Sequence, residues 1–292
     1  MEKVPIGVLG GSGLYEMPGF HAVEEVRLTT PFGEPSDPYR VGRLEGKRIA
    51  FLARHGRGHR IPPSAINYRA NLFGFKLLGV EHLISASAVG SLKQELRPLD
   101  FVVPDQFYDR TRQRIATFFD TAGLVVHVAF ADPVCPHLSA LLAGSADGVA
   151  PRVHRGGTYV CMEGPQFSTR AESQVYRQLG FSVIGMTNLT EAKLAREAEI
   201  CYATLALVTD YDCWHETEVT IEQVIEYVHR NAANAQESIR RAVAALDPAA
   251  ERRCRCAGAL RGCFVTAPEL VGGERRRALA PLIGRYLPEE AA

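Results

Sequence analysis

Two carboxylates, Asp210 and Asp212, stand two residues apart in "ATLALVTDYDCWH", directly after the apolar run 203–208 and just before the single tryptophan, Trp214. Solubility requires no such pair at the end of a buried strand. A ligand held at that end does. Other polar groups follow apolar runs in the same way. "VLGGSGLY" places Gly10, Gly11, Ser12 and Gly13 where backbone N–H groups can approach an anion and a hydroxyl can donate to it. "FLARHGRGH" ends in Arg54, His55, Arg57 and His59, and a guanidinium fork suits phosphate oxygens. "SASAVGS" carries hydroxyls, Ser85 and Ser87, that need partners inside a strand. "MEGPQFSTRAE" sets Phe167, a ring able to stack on a flat ligand, before a helix opened by Ser168 or Thr169 with Glu172 as its cap partner. Met186 follows a further apolar run, "SVIG". Together these residues imply an anion site built from Ser12, Arg54, His55 and a hydroxyl. Beside it stands a flat-ligand site built from Phe167, Met186, Asp210 and Asp212.

The elements that must hold them alternate. The apolar, β-rich stretches "VPIGVLG", "RIAFLARHG", "HLISASAVGS", "DFVVPDQF", "GTYVCMEGP", "SVIGMTN" and "ATLALVTDYD" read as strands. Helix-like segments lie between several of them, among them "PSAINYRANLFGFKLLG", "STRAESQVYRQLG" and "TEAKLAREAE". Alternation with strands apolar on both faces predicts a single α/β domain, a mixed, largely parallel central sheet flanked by helices. "GTYVCMEGP" and "HVAF" are candidates for antiparallel additions. "TIEQVIEYVHRNAANAQESIRRAVAAL" has Ile221, Val224, Ile225 and Val228 at helical spacing and reads as one long amphipathic helix. In such sheets ligands bind beyond the carboxyl ends of the strands, where the polar residues above fall. The body is expected to span residues 1–250. Residues 251–292 form an Arg- and Cys-containing extension, expected as a solvated helix pair packed on the same domain.

At 292 residues the chain can bury a substantial core. It has 33 basic and 33 acidic residues, which removes the whole-chain electrostatic case for nucleic acid or an anionic membrane surface. No apolar run approaches the about 20 residues of a membrane span, and the N-terminus has no signal-peptide pattern, so a cytoplasmic protein is expected. Seven cysteines at scattered spacing do not suggest a secreted disulfide framework. Cys161 and Cys201 read as buried thiols. "CRC" at Cys254 and Cys256, with Cys263, reads first as thiols on a surface segment, next as a redox pair, and last as a metal site, because zinc commonly takes CxxC-type pairs and four ligands. No metal is expected.

"GGSGLY", "RHGRGHRIPPSAINYRANLFGFKLLG", "SAVGSL", "EGPQFSTRAES" and "TDYDCW", in this order, resemble the trimeric purine nucleoside phosphorylase family, and more narrowly its methylthioadenosine-cleaving branch. The resemblance covers roughly residues 4 to 245. It implies a homotrimer with active sites near subunit interfaces, no metal or organic cofactor, and inorganic phosphate as co-substrate. The implied reaction is phosphorolysis of S-methyl-5'-thioadenosine to adenine and 5-methylthioribose 1-phosphate, a step of purine and methionine salvage.

The resemblance also implies roles. Ser12, Arg54, His55 and Ser87 would hold phosphate, and Ala88, Phe167, Ser168, Met186 and Thr187 would contact purine and ribose. Asp210 would accept from the 6-amino group and stabilise N7 as that atom takes a proton. Asp212 would share the base site; two carboxylates in a partly dry site raise one another's pKa, which keeps one protonated as a general acid. The 5'-methylthio pocket would comprise His59, Ile221, Val224 and Ile225, with His127 reaching in from a neighbouring subunit. Three positions depart from the family pattern: Ala86-Ser87 lacks one hydroxyl of a usual pair, Thr190 replaces a common proline, and Gly185-Met186 also occurs in relatives that prefer 6-oxopurines. A 6-oxopurine or methylthioinosine phosphorylase is therefore the alternative enzyme. A non-catalytic nucleic-acid binder using the Arg-rich tail is the alternative of another class.

Overall fold

The computed structural model describes residues 2–215 and 220–287. In chain order it contains β1 (Ile6–Gly10), β2 (His21–Val26), β3 (Tyr39–Leu44), β4 (Lys47–Ala53), α1 (Tyr68–Leu77), β5 (His82–Ser91), β6 (Phe101–Val103), β7 (Gln106–Arg110) and α2 (Pro136–Ala146). It continues through β8 (Val153–Arg155), β9 (Thr158–Met162), α3 (Arg170–Gln178), β10 (Val183–Gly185), α4 (Asn188–Glu197), β11 (Cys201–Asp210), α5 (Ile221–Ala245), α6 (Gly273–Ala278) and α7 (Ala280–Ile283).

The described strands form one mixed sheet in the order β2-β3-β4-β1-β5-β10-β9-β7, with β11 also pairing β5, β6 pairing β11, and β8 pairing β6. β1 pairs parallel with β4 and β5, and β5 pairs parallel with β11 along its length. Side chains of these central strands are buried on both faces, which is why they read as unbroken apolar runs. On one face Leu9, Leu52, Leu83 and Tyr202 pack with Phe73, Leu194 and Ile283 of α1, α4 and α7. On the other, Val8, Phe51, Ile84 and Leu205 pack with Leu138 and Leu142 of α2 and Ile239 and Val243 of α5.

Some expectations are corrected. "DFVVPDQF" is two strands parted by Pro104: β6 runs antiparallel to β11 and β7 parallel to β9. β9 is parallel to both its neighbours rather than an antiparallel addition. "HVAF" forms no strand; the residue just before it, Val126, makes an isolated bridge to Phe264. The tail is not a solvated helix pair: Leu260, Val271, Leu279, Leu282 and Ile283 are buried. Glu199 fastens it, accepting from the Leu260 amide at 3.1 Å and the Tyr286 hydroxyl at 2.5 Å and pairing with Arg285 at 3.3 Å.

The topology opens a crevice in the middle of the sheet. On one edge of β5, β1 pairs with residues 82–85 and β10 with residues 90–91, which leaves residues 86–89 between the two pairings. The turns after β1 and β10 therefore flank the same stretch of β5. Such a switch point is where open α/β sheets hold ligands.

Candidate active site

A cavity of about 500 Å³ occupies this crevice. Its floor is the carboxyl half of β5, with Ser87, Ala88 and Gly90 among its lining residues. Gly11, Gly13 and Leu14 enter from the turn after β1, Arg54, His55 and His59 from the turn after β4, and Met186 and Thr187 from the turn after β10. Asp210 and Asp212 close one side, Phe167 lies at the rim, and Val224, Val228 and Ala232 come from α5.

Close approach fixes several small residues here. A Cβ on Gly13 would lie 2.9 Å from Cβ of Ala232, and one on Gly90 would lie 2.9 Å from Oδ1 of Asp210. At Gly185 a Cβ would meet the Tyr159 hydroxyl at 2.0 Å. Gly185 is thus explained by packing against Tyr159.

Asp210 reaches the cavity through a β-bulge. Val208 pairs with Val89 and Asp210 with Gly90, so Thr209 is the extra residue. The Thr209 hydroxyl donates to Asp210 Oδ2 at 2.7 Å, and the Asp212 amide donates to Asp210 Oδ1 at 2.8 Å. Asp212 has a left-handed backbone, φ 52°, and its Oδ2 accepts from the Ser173 hydroxyl at 2.6 Å. Burial raises the pKa of both carboxyls, opposed by these hydrogen bonds. This corrects the expected cause: mutual repulsion is the smallest contribution at Asp210, and desolvation leads.

Arg54 is buried and differs from the expected free phosphate fork. Its Nε and Nη2 pair with Glu191, Nη2 also donates to Ser85 Oγ at 2.6 Å, and Nη1 donates to the Ala86 carbonyl at 3.0 Å. Burial works against its charge, but Glu191 outweighs burial and holds it protonated. Around this pair, Asn188 Nδ2 donates to Ser85, Tyr202 and Thr204, and the Tyr202 hydroxyl donates to Glu191 at 2.9 Å. Ser87 Oγ donates to Asn188 Oδ1 at 2.5 Å, so the expected phosphate hydroxyl is tied to the same network.

His55 Nδ1 lies 2.8 Å from the Ile61 carbonyl and donates to it, which leaves Nε2 as an acceptor. Burial first, then the Arg54 charge, lowers its pKa to about 4, so the imidazole is neutral near pH 7. His59 stacks on it, ring centroids 4.2 Å apart, and burial lowers its pKa as well.

The structure brings together Arg54, His55, His59, Ser87, Ala88, Phe167, Met186, Thr187, Asp210, Asp212 and Val224 around one cavity. It does not bring Ser168 to the lining; the Ser168 carbonyl accepts from Cys213 Sγ at 3.2 Å. Ile221 and Ile225 are 56% and 51% exposed and lie off the cavity, where Val224 and Val228 serve instead. His127 is exposed and away from this chain's own cavity. Ser12 stands in the short turn Ser12–Leu14, and its side chain lies outside the described residues.

Sequence reasoning missed residues that shape the site from a distance. Arg114 pairs with Glu163 at 2.9 Å and donates to the carbonyls of Met186 and Glu163, joining the two segments that carry Met186 and Phe167. Glu191, Asn188 and Ser173 hold Arg54, Ser87 and Asp212. Trp214 anchors the end of β5 by donating from Nε1 to the Ser91 carbonyl at 2.7 Å.

Comparison with known proteins gives a consistent result. The family model of the phosphorylase superfamily matches residues 5–244. The S-methyl-5'-thioadenosine phosphorylase of Koribacter versatilis is 57% identical over 292 residues, covering 99% of each chain. That of Geobacter sulfurreducens is 54% identical over 289 residues, covering 98% of this chain and 100% of the relative. These alignments extend through the Arg-rich tail, beyond the expected match. Among solved structures, a methylthioadenosine phosphorylase from an antarctic soil metagenomic library superimposes with TM-score 0.92 at 48% identity, covering 97% of this chain and 99% of that one. The methylthioadenosine phosphorylase of Schistosoma mansoni in complex with adenine gives TM-score 0.79 at 38% identity, covering 83% and 91%.

Proposed function

The chain belongs to the phosphorylase superfamily, and from that premise we propose that it cleaves S-methyl-5'-thioadenosine with inorganic phosphate, giving adenine and 5-methylthioribose 1-phosphate. The observation that carries this reading is one cavity joining a desolvated carboxyl of raised pKa, Asp210, to a small-residue turn and neutral His55 across the unpaired edge of β5.

The bond to be broken joins the anomeric carbon to N9. As it lengthens, the ribose gains oxocarbenium character and the purine gains negative charge. Asp210, in its acid form, gives the proton of one oxygen to N7 while its other oxygen accepts from the 6-amino group; a 6-oxo group would offer that oxygen only another acceptor. Burial keeps the Asp210 proton to higher pH than an exposed aspartate would, so the acid form declines as pH rises. Asp212 positions Asp210 through its amide and is itself held by Ser173.

Phosphate would sit against the turn after β1, with Ser12 and Thr187 as donors, and with Ser87 donating once its hydroxyl turns from Asn188 Oδ1 to the anion. Because Glu191 offsets Arg54, the anion is held by a hydrogen-bond cradle more than by net charge. Neutral His55 suits this: its free Nε2 lone pair accepts from a protonated phosphate oxygen. A phosphate oxygen then attacks the anomeric carbon from the face opposite the base, and holding both reactants in line supplies much of the rate. Phe167 and Met186 flank base and sugar, with Ala88 close by. Val224 and Val228 form an apolar wall suited to a methylthio group and costly for a 5'-hydroxyl to face.

We also propose a homotrimer in which the partner subunit's His127 caps the 5' end. Support comes from the exposed Ile221 and Ile225, an apolar stripe beside the cavity wall that a subunit boundary would cover. The reaction is read as needing no metal or organic cofactor, and as serving purine and methionine salvage in the cytoplasm. No helix of the described residues is long and apolar enough to cross a membrane. A nucleic-acid role is disfavoured because tail arginines are engaged internally: Arg252 with the Glu199 carbonyl, Arg275 with the Thr121 carbonyl and Arg276 with the Val271 carbonyl.

Identification of the sugar product tests the reading. ³¹P NMR should show a sugar 1-phosphate forming in step with adenine. Free methylthioribose with no phosphate ester would make the protein a hydrolase and overturn it.

A further inference from the structure

The structure places four cysteines together far from the nucleoside cavity. Cys135 stands at the N-cap position of α2, Cys201 opens β11, and Cys254 and Cys256 come from the tail. Their four sulfurs all lie within 4.8 Å of one another, and Cys201 and Cys254 are 3.3 Å apart. Cys135, Cys201 and Cys256 are buried and Cys254 is half-buried. The CRC segment is therefore not a surface thiol pair, as its spacing suggested. We propose that Cys135, Cys201, Cys254 and Cys256 form a tetrathiolate site for one zinc ion, a structural clip that fastens the C-terminal tail to the body.

Zinc at about 2.3 Å from each of four thiolates needs sulfurs about 3.8 Å apart, and the observed cluster brackets that spacing. Two disulfides would also use all four sulfurs, but the four cysteines are free thiols and Cys201 and Cys254 stand 3.3 Å apart, well beyond a bond; a tetrahedral ion uses such a compact, unbonded quartet from three separate segments. The surroundings suit thiolates. Zinc binding releases the S–H protons to solvent and leaves two surplus negative charges. Arg252 and Arg253 line the cavity beside the cluster, and Arg255 lies between the two tail cysteines, which supplies counter-charge. His82, paired in register with Cys201, lines the same cavity with its buried Nδ1 unpartnered, a polar group within the immediate surroundings of the cluster.

The consequence is mechanical. Glu199, two residues before Cys201, already collects the Leu260 amide and the Tyr286 hydroxyl. A zinc ion at Cys201 would fix the start of the tail where Glu199 fixes its later part. The cluster and Asp210 lie at opposite ends of β11, roughly 30 Å apart for ten residues, so the clip acts on stability and not on chemistry.

The test uses the full chain purified without a metal-binding tag. Elemental analysis should find about one zinc per chain, falling about tenfold or more in the Cys254→Ser/Cys256→Ser variant. That variant should melt at lower temperature with unchanged kcat/KM. Wild-type protein stripped of metal under reducing conditions should take up Co²⁺ and show the intense visible bands of tetrahedral cobalt thiolate. If the double variant fails to fold, metal content and the cobalt spectrum of the wild type decide alone. Wild type without zinc and unable to bind Co²⁺, iron at equal stoichiometry, or the loss of all four thiols to disulfides in the freshly purified protein would each overturn the proposal.

Discussion

Gly90→Ala should damage the reaction while sparing the fold, because the added methyl strikes the carboxylate proposed to protonate the base. The new Cβ would lie 2.9 Å from Asp210 Oδ1, 3.3 Å from Asp212 Cβ and 3.3 Å from Ile184 Cγ2. None of these is the loose end of a long side chain. Asp210 Oδ1 is held by the Asp212 amide at 2.8 Å and Oδ2 by Thr209 at 2.7 Å. Relief requires the carboxylate to move by a few tenths of an ångström and to weaken the amide bond. A hydrogen bond to a charged group contributes about 1.5–3 kcal/mol, and overpacking costs about 1–3 kcal/mol. A small misplacement of a reacting group lowers rate by up to about 100-fold. The expected result is a fall in kcat/KM for methylthioadenosine on the order of 100-fold with a stability loss of about 1–3 kcal/mol. Adenine release and thermal melting read the two effects separately. Gly144→Ala is the control: it lies in α2 with nothing within 4 Å of its Cβ, and should leave kinetics unchanged and stability equal or slightly higher. Wild-type kcat/KM in a folded Gly90→Ala protein would refute the placement of Asp210 as the acid.

Three further outcomes follow from the same geometry. Asp210→Asn should lower kcat/KM for 6-amino substrates and raise the relative use of 6-oxo ones, since an amide can donate to the oxygen; an unchanged ratio in parallel assays would remove Asp210 as the base reader. Arg54→Ala should cost about 3–5 kcal/mol, because it strands buried Glu191, so urea unfolding should register the change before any phosphate KM can be interpreted; a wild-type unfolding midpoint would show the pair to be dispensable. Glu197, in α4, has its pKa pushed up to about 7 by burial, against an ordinary 4.5. Between those values the folded chain keeps a proton that the unfolded chain loses, so this stabilisation is fully present below about pH 4.5 and is lost as pH rises to about 7, by about 3 kcal/mol. Glu197→Gln should flatten the pH profile of unfolding across that window, and an equally steep profile would place the titration elsewhere.

What the sequence made legible is what is local. Runs such as "HLISASAVGS" announce buried strands, and the polar residues after them announce the crevice because strand ends and ligand sites coincide in this fold class. The capping box of α3 is readable for the same reason: Thr169 and Glu172 are three residues apart, and both of its hydrogen bonds form. Long-range partners leave no such mark. Arg54 meets Glu191 across 137 residues, Ser87 meets Asn188 across 101, and Asp212 meets Ser173 across 39. Arg114 sits in an irregular segment with no periodicity to flag it. β2 is mostly exposed, so its strand carries no apolar signature. In α5 the spacing correctly indicated an amphipathic helix, but spacing alone could not show which of Ile221, Val224, Ile225 and Val228 would face the cavity; the valines do. The four clustered cysteines lie up to 121 residues apart in the chain, Cys135 from Cys256, and only the fold gathers them.

Base release from methylthioadenosine, adenosine, methylthioinosine and inosine, each with and without inorganic phosphate, tests the central claim most directly. The proposed reading predicts adenine release that depends on phosphate and is fastest from methylthioadenosine, where Asp210 would meet the 6-amino group and the Val224–Val228 wall the methylthio group. Faster cleavage of the 6-oxo nucleosides, or release that does not depend on phosphate, would contradict it.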